Sequence, residues 1–257
     1  MLFNKAVFIG IDPTAGERPM TYAAIDHDLK LLALSKGDMN AVLAYSGGQK
    51  AAFVGINGPR RPNQKLMQSE EIRQGLNPQP NPGRWTGFRV AEYALFQKNI
   101  RIPRTPAEER ECPTWMQVSF KLFRRLKEFG YREFPAEEVA QQTLEVYPHA
   151  SFTVLLERIP FQKHSLEGRL QRQLVLHSLA MDVPDPMRIF EEITRYRIMQ
   201  GVLPLNRLHS VEELDALVAA YTAWMAANKE KDITRIGDPQ EGEIVLPSAD
   251  LEDTYRN

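Results

Sequence analysis

Residues 5–12, KAVFIGID, and residues 51–57, AAFVGIN, are the two stretches on which the fold turns. Each is almost continuously apolar, the pattern of a central strand covered on both faces rather than one with a wet side. Each then stops on a polar side chain just before a proline, at Asp12-Pro13 and at Asn57-Gly58-Pro59. Laid side by side as parallel strands, they bring Asp12 and Asn57 to one edge. In open α/β sheets that carboxyl edge is where ligands bind.

The neighbouring segments extend the pattern. Thr21–Asp26 and Leu29–Ser35 are short β-prone runs that predict an antiparallel hairpin after the first strand. Asp38–Tyr45 predicts a short helix stopped at Gly47-Gly48. Pro113–Phe129 carries Trp115, Val118, Leu122, Leu126 and Phe129 at helical spacing. Thr143–Tyr147 predicts a further buried strand, followed by helices around Ser151–Leu156 and Leu166–Leu179. Ser210–Ala227 is a strong helix, with Ser210 and Glu213 at capping-box spacing. Glu243–Leu246 is a small strand candidate. The expectation is one domain over residues 1–247, with a loop insertion near 58–84 over the active-site edge and an acidic tail, 248–257, with little to bury.

Composition narrows the function classes. The chain has 257 residues, 43% hydrophobic and 25% charged, with net charge −1, enough to build a sizeable core. That charge gives no overall positive field to draw in nucleic acid, so such a partner must be held locally. The single cysteine, Cys112, forms no intrachain disulfide and anchors no Cys-rich zinc site. No apolar run approaches the length of a membrane span, and Met1–Asp12 lacks a signal-peptide pattern. A cytoplasmic protein without a membrane partner is expected.

Three acids sit where such a sheet would converge them: Asp12 ending strand one, Glu145 in the late strand and Asp215 on the capped helix. Asn57 is a fourth candidate. Clustered carboxylates repel unless cations neutralise them, and hard oxygen ligands suit magnesium, with manganese as a substitute. Such ions activate water for an in-line phosphoryl displacement. Each residue also has a plain reading: Asp12 in a turn, Glu145 aimed at solvent by alternation, Asp215 an exposed aspartate near a helix start. Asp215 lies on a small-residue face with Ala219, Thr222 and Ala226 that suits close approach to a sheet. Arg60 and Arg61, just past the proposed edge, are candidates for phosphate contact. The histidines show no metal-pair spacing and read as surface or capping residues.

Taken together, FIGIDPTAG, FVGINGP, LEVYPH, ELDALVAAYTA and EGEIVLP, in order from Phe8 to Pro247, resemble the family called domain of unknown function 429, whose members are predicted nucleases of the ribonuclease H-like superfamily. The resemblance implies a ribonuclease H-like α/β fold: a five-stranded mixed sheet, hairpin plus parallel strands, flanked by helices. It implies Asp12, Glu145 and Asp215 as metal-binding acids. It adds Arg89 and Glu92, in FRVAEYALF, and Lys163 as positions beside the site. Where relatives resemble Ile-Asp-x-Pro, this chain has Asn57, which offers a carbonyl oxygen but no charge. The expected function is a magnesium-dependent nuclease or phosphodiesterase acting on nucleic acid or a phosphorylated small molecule. The competing expectation is a catalytically silent module of the same fold that binds nucleic acid or protein.

Overall fold

The computed structural model describes residues 6–14, 18–76 and 85–256. Among them eight strands form one mixed sheet: β1 (Val7–Asp12), β2 (Met20–Ile25), β3 (Leu31–Gly37), β4 (Ala52–Asn57), β5 (Arg132–Glu133), β6 (Gln141–Val146), β7 (Thr234–Asp238) and β8 (Gly242–Leu246). Their order is β3-β2-β1-β4-β6-β8-β7, with β5 also paired to β6. β1, β4, β6 and β8 run parallel, and an antiparallel hairpin lies at each end, β2–β3 and β7–β8.

The count corrects the expected five strands. β5 is only two residues long, and β7, Thr-Arg-Ile-Gly-Asp, buries only Ile236, so neither has the apolar run that marks a strand locally. β5 forms because it pairs along the edge of β6, and β7 because it closes a hairpin on β8.

The helices are α1 (Met39–Gly47), α2 (Glu70–Leu76), α3 (Val90–Gln97), α4 (Thr114–Glu128), α5 (Pro148–Leu156), α6 (Leu166–Ser178), the short α7 (Ile189–Glu192) and α8 (Arg195–Met199), and α9 (Val211–Asn228). Parity along the strands divides the core. Phe8, Phe53, Leu144, Val146 and Val245 face α9 in one cluster. Ile9, Ile11, Val54 and Ile56 face the other way, against Val42, Leu122 and Leu126 of α1 and α4.

α9 starts where its sequence says it should. The Ser210 hydroxyl accepts from the Glu213 amide at 3.2 Å and the Glu213 carboxylate accepts from the Ser210 amide at 2.7 Å, a reciprocal cap. The helix is buried nearly all round because it lies between the sheet and α5 and α6. Glycine makes its close approach possible: a Cβ on Gly10 would come within 1.9 Å of the Ala216 carbonyl oxygen, and one on Gly55 within 2.5 Å of that of Ala219.

Residues 248–256 differ from the expected solvated tail. Tyr255 is buried among Leu95, Ile100, Ala150 and Val154, its amide donates to the Lys98 carbonyl at 3.1 Å, and the Ile159 amide donates to the Arg256 carbonyl. One aromatic ring outweighs the local acidity. Of the expected insertion, residues 77–84 lie outside the described residues, while Met67 packs with Trp85, Phe88 and Tyr93 in a satellite cluster. Among the described residues no helix is long and apolar enough to cross a membrane.

Candidate active site

Asp12 and Asn57 end adjacent parallel strands. The Asn57 amide Nδ2 donates to Asp12 Oδ1 at 2.6 Å, which fixes the rotation of the carboxylate. Asp215, in the second turn of α9, reaches the same edge because its neighbour Ala216 rests on Gly10. Both acids are buried, at 8% and 4% exposure. Lys163, half-exposed in the loop before α6, sets its Nζ 3.2 Å from Asp215 Oδ2. Two adjoining cavities open here, sharing Lys163 and Asp215: one of about 360 Å³ that also touches Asp12 and Glu212, and one of about 120 Å³ that also touches Asn57 and His149.

The electrostatics follow from burial. The Asp12 carboxyl is pushed from an ordinary value near 3.8 up to about 7, by desolvation first and then by the charge of Asp215; the Asn57 hydrogen bond and Lys163 pull the other way. Desolvation also raises Asp215, against the pull of Lys163. The folded protein therefore holds the Asp12 proton more tightly than the unfolded chain does. That contribution to stability is complete below about pH 4 and is lost as pH rises toward 7. In metal-free protein, the melting temperature of wild type is expected to fall relative to Asp12→Asn between pH 4 and pH 7. Parallel curves for the two proteins would contradict the assignment.

Glu145 does not join this pair. In register, Ile11 pairs with Ile56 and Ile56 with Glu145, so Glu145 points to the face of Ile11 and away from that of Asp12. There it meets Arg89, buried at 1% exposure. Arg89 Nη1 and Nη2 donate to Glu145 Oε1 and Oε2 at 3.2 and 3.0 Å, a fork that matches the carboxylate. Arg89 Nε bonds Glu92 Oε1 at 3.1 Å, Glu92 also accepts from the amide and hydroxyl of Thr105, and the Arg60 amide donates to Glu145 Oε1 at 2.8 Å. The pairing with two carboxylates holds the Arg89 guanidinium charged, against burial. The Arg60 and Arg61 side chains both pair with Glu133.

The nine predicted site residues thus fall into three groups. Asp12, Asn57, Asp215 and Lys163 converge at the sheet edge. Glu145, Arg89 and Glu92 form a buried network on the other face. Arg60 and Arg61 bind down the loop that follows β4. Among the described residues no three acidic, histidine or cysteine side chains are placed to hold a metal ion together. The two-carboxylate set still suits magnesium, which commonly takes one or two protein carboxylates and keeps waters for substrate phosphate to replace. Desolvation raises both carboxyls despite the pull of Lys163 and, at Asp215, of Arg172, a penalty that a bound cation would offset.

Two residues of the site carried no local signal as site residues. His149, expected among surface and capping histidines, lines the smaller cavity, as does Arg172 of α6. The run LEVYPHA, a strand ending against a helix-opening proline, is the one local hint that His149 falls at the sheet edge.

Fold and site together define an α/β protein with a mixed eight-stranded sheet and a buried acid pair where its central parallel strands end. The chain belongs to the family described as Protein of unknown function (DUF429), whose model matches residues 10–241 and so spans every residue of the site. No curated protein and no solved structure matches the chain.

Proposed function

We propose that this protein is a magnesium-dependent phosphodiester hydrolase of the ribonuclease H-like kind, with Asp12 and Asp215 as its metal-binding acids. The observation that carries the reading is the convergence of two buried carboxylates, from β1 and α9, on a cleft where one half-exposed lysine is their cationic partner. The hairpin beside β1, with β4 and β6 parallel on its other side, agrees with that fold type. When bound, magnesium would supply positive charge to the phosphoryl oxygens and lower the pKa of a coordinated water.

The chain's own residues do the rest. Asn57 holds the Asp12 carboxylate in one rotamer, leaving its second oxygen for the cation. Lys163 neutralises Asp215 in the free protein and is free to turn to a phosphate oxygen when substrate and cation arrive. Glu145 positions structure through Arg89 and is not a ligand. A cleft lined by Arg60, Arg61, Arg124, Lys127 and Arg132, of which Arg60 and Arg61 share Glu133 and Arg124 pairs with Glu109, leaves a local positive excess that supports nucleic acid as the partner on a chain of net charge −1. The lone, buried Cys112 fits a reducing compartment such as the cytoplasm.

The test is calorimetric titration of magnesium and manganese, with and without nucleic acid, into wild type, Asp12→Asn, Asp215→Asn and Glu145→Gln, followed by incubation with labelled DNA and RNA. Affinity is expected to fall about tenfold or more in the two aspartate variants, with cleavage falling alongside, and to hold in Glu145→Gln. Undiminished metal-dependent cleavage by Asp12→Asn would overturn the reading. The silent-module alternative is favoured by one observation, that Glu145 is committed to Arg89. Salt-dependent nucleic-acid binding without turnover, indifferent to magnesium, would establish it instead.

A further inference from the structure

Arg172 is 2% exposed, yet among the described residues its guanidinium forms no ion pair. Its Nη1 donates to the carbonyls of Phe161 and Gly168, each at 2.9 Å, and its guanidinium carbon sits 5.5 Å from the centre of the Phe152 ring. Asp215 acts on the Arg172 charge from beyond salt-bridge distance, and of the five N–H donors of Arg172 only those on Nη1 meet protein acceptors among the described residues. Arg172 lines the smaller cavity beside Asp215, together with Lys163 and His149. The His149 imidazole makes no hydrogen bond among the described residues; its ring contact is with Tyr147, 6.1 Å away.

The placement is built into the backbone. Gly168 lets α6 close on the loop that carries Lys163: a Cβ there would come 1.9 Å from the Gln162 carbonyl oxygen and 3.2 Å from Arg172 Nη1. The field in the cavity agrees, since burial and the charges of Arg172 and Lys163 push His149 down to about 4 and keep it neutral. Two cations and a neutral imidazole donor, offset in part by the Asp215 carboxylate, thus face a space of about 120 Å³. That equals the liquid volume of about four waters.

We propose that this cavity is a phosphate subsite, in which Arg172 and Lys163 bind the dianion of a phosphomonoester and His149 donates one further hydrogen bond. A space of this size suits a phosphoryl group, with the rest of the ligand in the adjoining cavity that shares Lys163 and Asp215. The ligand is then a phosphate-terminated one, its phosphate anchored beside the acid pair: either a strand end, whose neighbouring phosphodiester is the bond cut, or a nucleoside monophosphate, which has no phosphodiester and binds as a product. The inference rests on the hydrolase reading for the reaction that follows binding, but not for the binding itself.

Inorganic phosphate is the first probe, titrated calorimetrically and by phosphorus NMR line width, with and without magnesium. Wild type is expected to bind it; Arg172→Met and Lys163→Met should each weaken binding about tenfold or more, and Arg172→Lys should keep part of it. Arg172→Met also removes a tether to Phe161 and Gly168, so if it fails to fold, Lys163→Met, on a half-exposed side chain, carries the test. No phosphate binding by wild type in either condition, or wild-type affinity in folded Lys163→Met and Arg172→Lys, overturns the proposal. Asp12→Asn separates the two readings: phosphate binding measured without magnesium should survive it. If phosphate binds but no variant or wild type shows magnesium-dependent turnover, the hydrolase reading fails and the subsite stands. A 5′-phosphorylated oligonucleotide that binds about tenfold more tightly than its 5′-hydroxyl form identifies a strand end. Binding of a nucleoside 5′-monophosphate with no such difference identifies the small molecule. Equal binding of both oligonucleotides with no binding of the monophosphate overturns the phosphomonoester assignment.

Discussion

Arg89→Met is expected to destabilise the protein by about 3–5 kcal/mol, the cost of leaving buried charge without its partner. The guanidinium is 1% exposed and serves two carboxylates, Glu145 and Glu92, that are themselves 3% and 1% exposed. Removing it takes the guanidinium from both, leaving Glu145 with the Arg60 amide and Glu92 with Thr105 and a backbone amide. For a chain of this length that is a fall in melting temperature on the order of 6–20 °C. A drop of only a degree or two would mean that water or a shifted side chain replaces Arg89, and the network would lose its structural role. Adding Glu145→Leu to Arg89→Met should recover part of the loss, because the worst position is one charge of a pair, not neither. The same network separates two roles for Glu145: Glu145→Gln should lower the melting temperature while magnesium affinity stays at the wild-type value. Magnesium affinity lost at an unchanged melting temperature would return Glu145 to the ligand set.

Gly10→Ala is expected to cost at least about 3 kcal/mol, at the upper end of overpacking effects. The added methyl would lie 1.9 Å from the Ala216 carbonyl oxygen and 2.3 Å from the Ala220 amide nitrogen. Both are backbone atoms of α9, so no side-chain rotation relieves the clash. The helix must move, and Asp215, adjacent to Ala216, moves with it. Loss of stability should therefore come with loss of magnesium affinity, although Gly10 touches no ligand. Gly75→Ala is the control: a Cβ there meets nothing within 4 Å, and an exposed helical glycine replaced by alanine should gain a few tenths to about 1 kcal/mol. A Gly10→Ala protein that melts like wild type would show that the sheet and α9 are not packed as described.

The central part of the fold is legible from local pattern. β1 and β4 declare themselves as continuous apolar runs, the β2–β3 hairpin by its turn, α9 by its capping box, and the convergence of Asp12, Asn57 and Asp215 follows from strand direction and a small-residue helix face. What local pattern does not carry is which face a residue meets and what waits there. Glu145 sits between Leu144 and Val146, so alternation alone already sets it apart from them; but the buried arginine that receives it is far off in sequence. Its role as an ion-pair partner is a tertiary fact. Arg172 is hidden for the same reason, and for His149 the run LEVYPHA marks the sheet edge but not the cavity it lines. β5 is a strand by virtue of β6 and β7 by virtue of β8, and Tyr255 is buried by virtue of α3 and α5. In each case a partner distant in sequence outweighs weak local preference.

The place of β8 bears on how the chain can be made. β6 is flanked on one side by β4, which the ribosome has already delivered, and on the other by β5 at Gln142 and Thr143 and by β8 at Glu145 and Val146; β8 is delivered only after α5 through α9 and β7. Until residue 246 has emerged, the Glu145–Val146 end of that edge stays unpaired among buried-type side chains, the kind of surface that invites association with other chains. Tyr255, still later, completes the packing at that end. A nascent chain interrupted before these residues would carry its acid pair and its helices but an unfinished sheet, making it a substrate for chaperones or proteases and not a smaller working version of the protein.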